Sequence, residues 1–518
     1  MIVSAKRVQF IWSPLLGWAL LACSAPAAMA QIGVAVPGVT VPGSASDSSS
    51  GTPVDPNAPA TGDIPAGAAL PSGTQTLPAP TTIILPPIPL PAGTTVSNPS
   101  TQVIPGASDV FAGGTVGSLG SAGGGGSAAS GVLGDELGIT VGAFRFYPAI
   151  DITVGVDTNA YATSPATAAP IQTLSTVIQP SLALRSEWLN HSINFLMSGG
   201  FGSYSSAASQ NYQNYFMIVD GRVDIHDNWT ATYSLGYRRA TEALGTANTS
   251  FAQAPTVSQS IPLSLSVQKA FGRFTFEAGG SATKLWYTDN STITSAGLDG
   301  VSRNRTEYEE HIRLGYEVSE DITLFAGPSI KQTKYDQMVD SVGQNRNSSG
   351  AALNFGAVWK INPTSSIEGS VGYSLSDSAG GLGSTSAYVF SLSGSWNGYQ
   401  PLTIRPNLSR AITETALSAY RNTINTVLGV DYTYALFDEW AVAGGMSYNL
   451  ADYQPIESLG ATPRQDKFFR FSVGLLWQPR PQLSIGPVYE YTQGSSTDST
   501  LGPSYDRQVF SIRLSAKR

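Results

Sequence analysis

The sequence is short of charge, thiols and imidazoles. Charged side chains make up 12% of its 518 residues, about half the roughly 25% of an average soluble protein. A single cysteine excludes a disulfide framework and a multi-thiolate zinc site. Three histidines leave little for metal chemistry, and no cofactor is expected. Beyond the signal-like start there is no run of ~20 apolar residues free of glycine, proline and charge, which excludes a polytopic helical membrane protein. A net charge of −8 argues against a nucleic-acid partner. What the chain does have is 54 glycines, 33 prolines and 22 tyrosines, with a mean hydropathy of −0.01. A chain neither charged nor greasy suits an all-β transmembrane antiparallel β-barrel better than a cytosolic enzyme.

Residues 1–30 read as a secretory signal peptide. Lys6 and Arg7 precede the apolar run Val8 to Ala22, and Ala28-Met29-Ala30 supplies a small-residue cleavage site. Leu20-Leu21-Ala22-Cys23 loosely resembles a lipobox, which makes lipidation of Cys23 the minor alternative. Residues 31–138 are a low-complexity spacer of Ala, Gly, Ser, Thr and Pro, with no Lys or Arg between Arg7 and Arg145. Such a composition buries too little apolar surface to offset chain entropy, so disorder is expected. Tether, docking segment and flexible plug are its functional readings, beside a plain spacer.

From residue 139 the texture becomes period-2 alternation, the signature of strands with one apolar face. Ile150, Ile152, Val154 and Val156 alternate with Asp151, Thr153, Gly155 and Asp157. Phe510, Ile512 and Leu514 alternate with Ser511, Arg513 and Ser515. About eighteen such segments are predicted, with sixteen the nearest other count: 145–157, 175–188, 192–204, 212–225, 229–241, 257–269, 273–287, 305–318, 322–335, 347–360, 365–376, 386–396, 402–414, 420–435, 440–450, 466–477, 482–493 and 505–517. Short turns such as Leu189-Asn190-His191 and Ser319-Glu320-Asp321 alternate with long loops such as Asn159–Gln172 and Ala451–Gln465. Outer-membrane barrels show that alternation, with short periplasmic turns and long external loops. The predicted barrel domain is 139–518, in the bacterial outer membrane.

Tryptophan supports the same reading. Trp188, Trp229, Trp359, Trp396, Trp440 and Trp477 lie beside short turns and Trp286 at a loop end. Amphipathic rings collect at membrane interfaces, so these seven are the expected girdle. Strand charges should avoid lipid, which predicts a lumen lined by Arg185, Asp220, Arg222, Asp224, Arg238, Glu277, Arg313, Glu368, Arg405, Asp431, Arg470, Glu490 and Arg513. Either these side chains bind and pass a polar solute, or they satisfy one another across strands; spacing permits both.

Catalytic constellations are missing: there is no G-x-S-x-G, H-E-x-x-H or P-loop. His191 and His226 fall in short turns, and His311 lies mid-strand beside Glu309 and Glu310. No enzyme is expected. Phe144-Arg145-Phe146-Tyr147-Pro148, leading into Ile150-Asp151-Ile152 and Val156-Asp157-Thr158-Asn159, resembles the opening strand of the outer-membrane beta-barrel porin type 2 family of Gram-negative bacteria. The resemblance covers about residues 139–518. It implies a porin-like channel for polar solutes, and for some members an association with exopolysaccharide export, which would add a periplasmic export partner. A non-conducting anchor that displays loops is the competing class. The other expected partners are outer-membrane lipid, the barrel assembly machinery and, in the manner of porins, further copies of the chain. Barrels of this kind usually end in an aromatic residue; here Leu514-Ser515-Ala516-Lys517-Arg518 ends the chain, while Phe510 and Ile512 keep the alternation.

Overall fold

The computed structural model describes residues 138–518 apart from 227, 243–244, 246–254, 289–299, 363, 400, 499 and 501. The expected signal peptide, Cys23 and almost all of the spacer lie outside the described residues. The strands in chain order are β1 (Ile139–Val141), β2 (Phe144–Asp157), β3 (Thr173–Ser186), β4 (Ser192–Tyr204), β5 (Tyr212–Ile225), β6 (Trp229–Glu242), β7 (Thr256–Phe271), β8 (Phe274–Tyr287), β9 (Arg305–Glu317) and β10 (Ile322–Tyr335). They continue as β11 (Ser348–Asn362), β12 (Ser365–Ser378), β13 (Gly383–Tyr399), β14 (Leu402–Thr413), β15 (Tyr420–Phe437), β16 (Trp440–Pro455), β17 (Arg464–Arg480), β18 (Leu483–Ser496) and β19 (Tyr505–Lys517).

From β2 to β19 each strand pairs antiparallel with the next, and β19 pairs with β2. Eighteen strands therefore close a ring without an edge, which satisfies every ladder position that an open sheet would leave bare. β1 folds back on the start of β2, with Ile139 opposite Phe146. The alternation did not reveal this short hairpin, because three residues are too few to carry a period.

The period-2 pattern sorts the side chains onto two faces. On β19, Phe510 and Ile512 point outward and are 54% and 59% exposed, while Arg507 and Arg513 point inward and are buried. An apolar outer face is costly in water and costs nothing in hydrocarbon. Neighbours on β12 make the test direct. Val371, on the outer face, is 65% exposed, while Ser370 on the inner face shares a hydroxyl contact of 2.8 Å with Ser391. Val371→Arg should cost about 2–4 kcal/mol of folding free energy in lipid vesicles, the mid-bilayer figure for a lipid-facing cation. Ser370→Arg should leave that stability within about 0.5 kcal/mol. Urea unfolding of the two variants measures the difference.

Turn chemistry fits the hairpins at one end. Gly272 (φ 61°) begins the two-residue loop between paired Phe271 and Phe274. Glycine at the first central position is what a type II′ turn requires. His191 (φ 61°) also takes the left-handed conformation. Its Nδ1 accepts the Asp224 backbone N–H at 3.0 Å, while its own N–H donates to the Asp224 carboxylate at 3.1 Å. His191 is thus a turn lock.

Most predicted segments match the observed strands within two or three residues. The largest difference is β16, which runs to Pro455 rather than Leu450. Ala451 and Tyr453 continue the inward alternation and are buried there, so the supposed loop 451–465 shrinks to 456–463. Loop-length alternation is also imperfect. The connection 379–382 lies at the long-loop end yet equals the short turn 318–321 in length.

Candidate functional site

The candidate site is the inner face and its narrowed mouth. By strand parity the thirteen charged residues predicted from sequence share the face that carries the buried ion pairs. Several are spent on one another. Arg222 meets Asp224 at 2.9 Å, Arg313 meets Glu368 at 2.9 Å, Arg470 meets Glu490 at 2.8 Å and Arg513 meets Asp151 at 2.9 Å. Arg313 also lies 3.6 Å from the Phe325 ring centroid. Glu277 stands 3.5 Å from His311 Nε2. Asp220 accepts from Asn194 Nδ2 at 2.9 Å. Arg185 lies over the Tyr147 ring, Arg238 faces inward from β6 opposite Ser260 of β7, and Arg405 is opposite Asp431 in register. Cross-strand pairing therefore accounts for much of the charge.

The wall of β11 to β13 has a different chemistry. Above Lys360, which shares the inward parity at the short-turn end of β11, its inward positions are mostly small and neutral, among them Asn354 on β11, Ser370 and Ser374 on β12, and Ser391 and Ser393 on β13. Glu368 is the one inward acid of β12, and Arg313 holds it. A hydroxyl surface without net charge offers hydrogen bonds to a solute but no electrostatic preference.

A second set of ion pairs lies at the long-loop end. Arg303 makes a two-pronged contact with Glu242 at 2.7 and 2.6 Å. Burial alone would depress the Arg303 guanidinium, yet facing Glu242 raises it above its ordinary value. Arg305 pairs with Glu307 at 2.8 Å, and Lys331 joins Glu307 at 3.2 Å. Arg464 grips Asp466 at 2.8 Å, and Arg507 grips Asp157 across the closing seam at 2.5 Å. None of these was among the lining residues predicted from sequence. Two of these pairs did carry a local signal: Arg305/Glu307 and Arg464/Asp466, like Arg222/Asp224 at the other end, are spaced i, i+2, which puts both side chains on one face of a strand.

Residues 414–419, between β14 and β15, turn into the barrel. Ala416 and Leu417 are each 1% exposed and pack on inward-facing Val427, Ala451, Tyr453 and Phe468 of β15, β16 and β17. On the other side Glu414 accepts from the Tyr335 hydroxyl of β10 at 2.9 Å and the Ser348 hydroxyl of β11 at 3.3 Å. One six-residue segment therefore reaches from β10 to β17 as a strap across the inner face. Arg346 clamps it, donating Nη1 to the Tyr420 carbonyl at 2.8 Å and Nη2 to the Ser418 carbonyl at 2.5 Å, with Nε on Asp340. A second loop folds in near the seam. Asn159 holds Thr163 at both N–H and carbonyl, and Ala160 is buried against Tyr204, Ala207 and Tyr212.

The seven sequence-predicted girdle tryptophans also have clear positions. Trp188, Trp229, Trp359, Trp440 and Trp477 lie at the short-turn end with 37–51% exposure. Trp440 and Trp477 pair in register with ring centroids 6.3 Å apart, and Trp188 packs edge-on against Phe144. Trp396, near the short-turn end of β13, and Trp286, at the long-loop end of β8, are half-buried on the outer face.

Among the described residues no cluster of His, Cys, Asp and Glu suits a metal ion. The family described as Putative beta-barrel porin 2 matches residues 134–518. No curated protein matches. Similar solved structures include Pseudomonas aeruginosa OccK3 (OpdO), at 10% identity and TM-score 0.36 over 72% of this chain and 95% of that one. Acinetobacter baumannii OccAB3 matches at 11% identity and TM-score 0.39 over 73% and 100%. The P. aeruginosa ferric enterobactin receptor PfeA matches at 10% identity and TM-score 0.37 over 72% and 80%.

Proposed function

The chain belongs to the beta-barrel porin 2 family and is a porin-like barrel of the outer membrane; from that premise we propose that it conducts uncharged polar solutes through its lumen. The observation that carries this reading is the inner face itself. Its charges are largely paired, and one broad wall of β11 to β13 presents hydroxyl and amide groups instead. A solute with many hydroxyls exchanges its water for such a wall at little cost, while an ion gains nothing from it. Oligosaccharides fit that description, and export of a neutral polysaccharide is the specialised form of the same reading. The 414–419 strap then sets the width at the long-loop end.

Planar-bilayer conductance of the refolded chain, with and without residues 31–135, tests the proposal. Stepwise channels with weak ion selectivity are expected from both. Currents only after deletion would make that segment a plug. Silence from both folded forms would overturn the channel reading in favour of a non-conducting anchor. Liposome swelling then ranks solutes, with neutral sugars expected ahead of charged ones of the same mass.

A further inference from the structure

Two charges on the outer face lie deeper than the rest of the charges on its long-loop half. Glu310 points outward from β9 between Tyr308 and Ile312 and is exposed. It sits seven residues from Glu317, the short-turn end of its strand. Arg410 points outward from β14, opposite Phe390 of β13, eight residues from Leu402 at the same end. At ~3.3 Å per residue and a tilt of roughly 40°, both stand about 18–20 Å above the short-turn rim, inside an apolar band about 25 Å tall. Other outward charges of the long-loop half, such as Arg239, Lys284 and Lys334, stand ten or more residues up their strands.

The two have opposite sign and matching depth, and they cannot meet within one barrel. Five strand spacings of ~4.8 Å put them about 24 Å apart around the wall. Glu310 makes no hydrogen bond or ion pair with a side chain among the described residues, while Arg410 has only the neutral Thr426 hydroxyl at 2.7 Å. The outer face beside Glu310 is stripped of bulk, with Ala278, Gly280 and Ala282 along β8 and Gly280 directly opposite Glu310. That trough gives a neighbouring wall access to the carboxylate.

We propose that copies of this chain pack side by side in the membrane, with the β8–β10 face of one against the β13–β15 face of the next, and Glu310 paired with Arg410 of the adjacent copy. Rotation about the membrane normal conserves depth, so a symmetric ring brings together groups at equal height. The two faces differ, so the contact is head-to-tail and closes a small ring rather than a two-fold dimer. The inference rests on the barrel standing in a bilayer and is independent of what the lumen passes.

Charge reversal is the test, with oligomeric state read by sedimentation of the detergent-purified full chain. The wild type should be oligomeric. Glu310→Arg and Arg410→Glu should each weaken assembly by about tenfold or more, the scale of a close desolvated ion pair. The double reversal should restore it. Heat-modifiable gel mobility checks that each variant is folded; Glu310→Gln and Arg410→Met replace any reversal that is not. A monomeric wild type, single variants that assemble normally, or a double variant no better than the singles would overturn the proposal. Loss of co-purifying anionic lipid from a monomeric Arg410 variant would overturn it too, and assign Arg410 to lipid.

Discussion

Arg346→Ala should give a channel that opens wider and flickers. Arg346 is 4% exposed and is the clamp on the 414–419 strap. It donates to two carbonyls at the β15 end of that segment and to Asp340 behind it. Hydrogen bonds from a charged donor contribute roughly 1.5–3 kcal/mol each, and these share one side chain, so their loss is not additive. A net loss of about 3 kcal/mol would make undocking of the strap on the order of a hundredfold more frequent. The packing of Leu417 on Phe468 remains, so the strap should fluctuate instead of staying out. Single-channel recording should show brief excursions to a higher conductance level. Arg346→Lys keeps the charge beside Asp340 but not the fork, and should fall between the two. A variant with wild-type conductance and wild-type noise would show that the strap does not limit the pore.

Asp157→Ala should destabilise the barrel more than any single loss on the outer face. Arg507 and Asp157 have side-chain exposures of 5% and 0% and join the last strand to the first barrel strand. Removing the acid strands a guanidinium in a buried site, at a cost of about 3–5 kcal/mol. Removing both charges costs far less, because buried pairs replaced by apolar groups of similar size are often neutral. The double variant Asp157→Leu with Arg507→Met should therefore recover most of the stability lost by the single one. Urea unfolding in vesicles measures both. Equal loss in the two variants would mean that the seam is held by its ladder alone.

The strands were legible because each lies between two different solvents. An outward residue such as Ile512 and an inward one such as Arg513 must differ in polarity, and that requirement repeats every two residues. Turn residues then mark the ends. The common parity of the thirteen charged positions was legible for the same reason. Their partners were only half legible. Arg305 and Glu307 can be paired by counting, but Arg303 and Glu242 are 61 positions apart with β7 and β8 between them. The extension of β16 to Pro455 was missed because Ala451 and Tyr453 resemble loop residues until the strap that covers them is known.

By itself the sequence determined the class of fold, a count of about eighteen barrel strands and the alternation of faces along the predicted segments, because these follow from a local period and from local turn chemistry. Only the tertiary structure decided which charges meet, where the wall is neutral and what crosses the mouth. Those depend on strand stagger and on ring closure, which bring Asp157 to Arg507 over 350 positions and Tyr335 to Glu414 over 79. Stagger and closure are properties of the whole ring, and no window along one strand contains them.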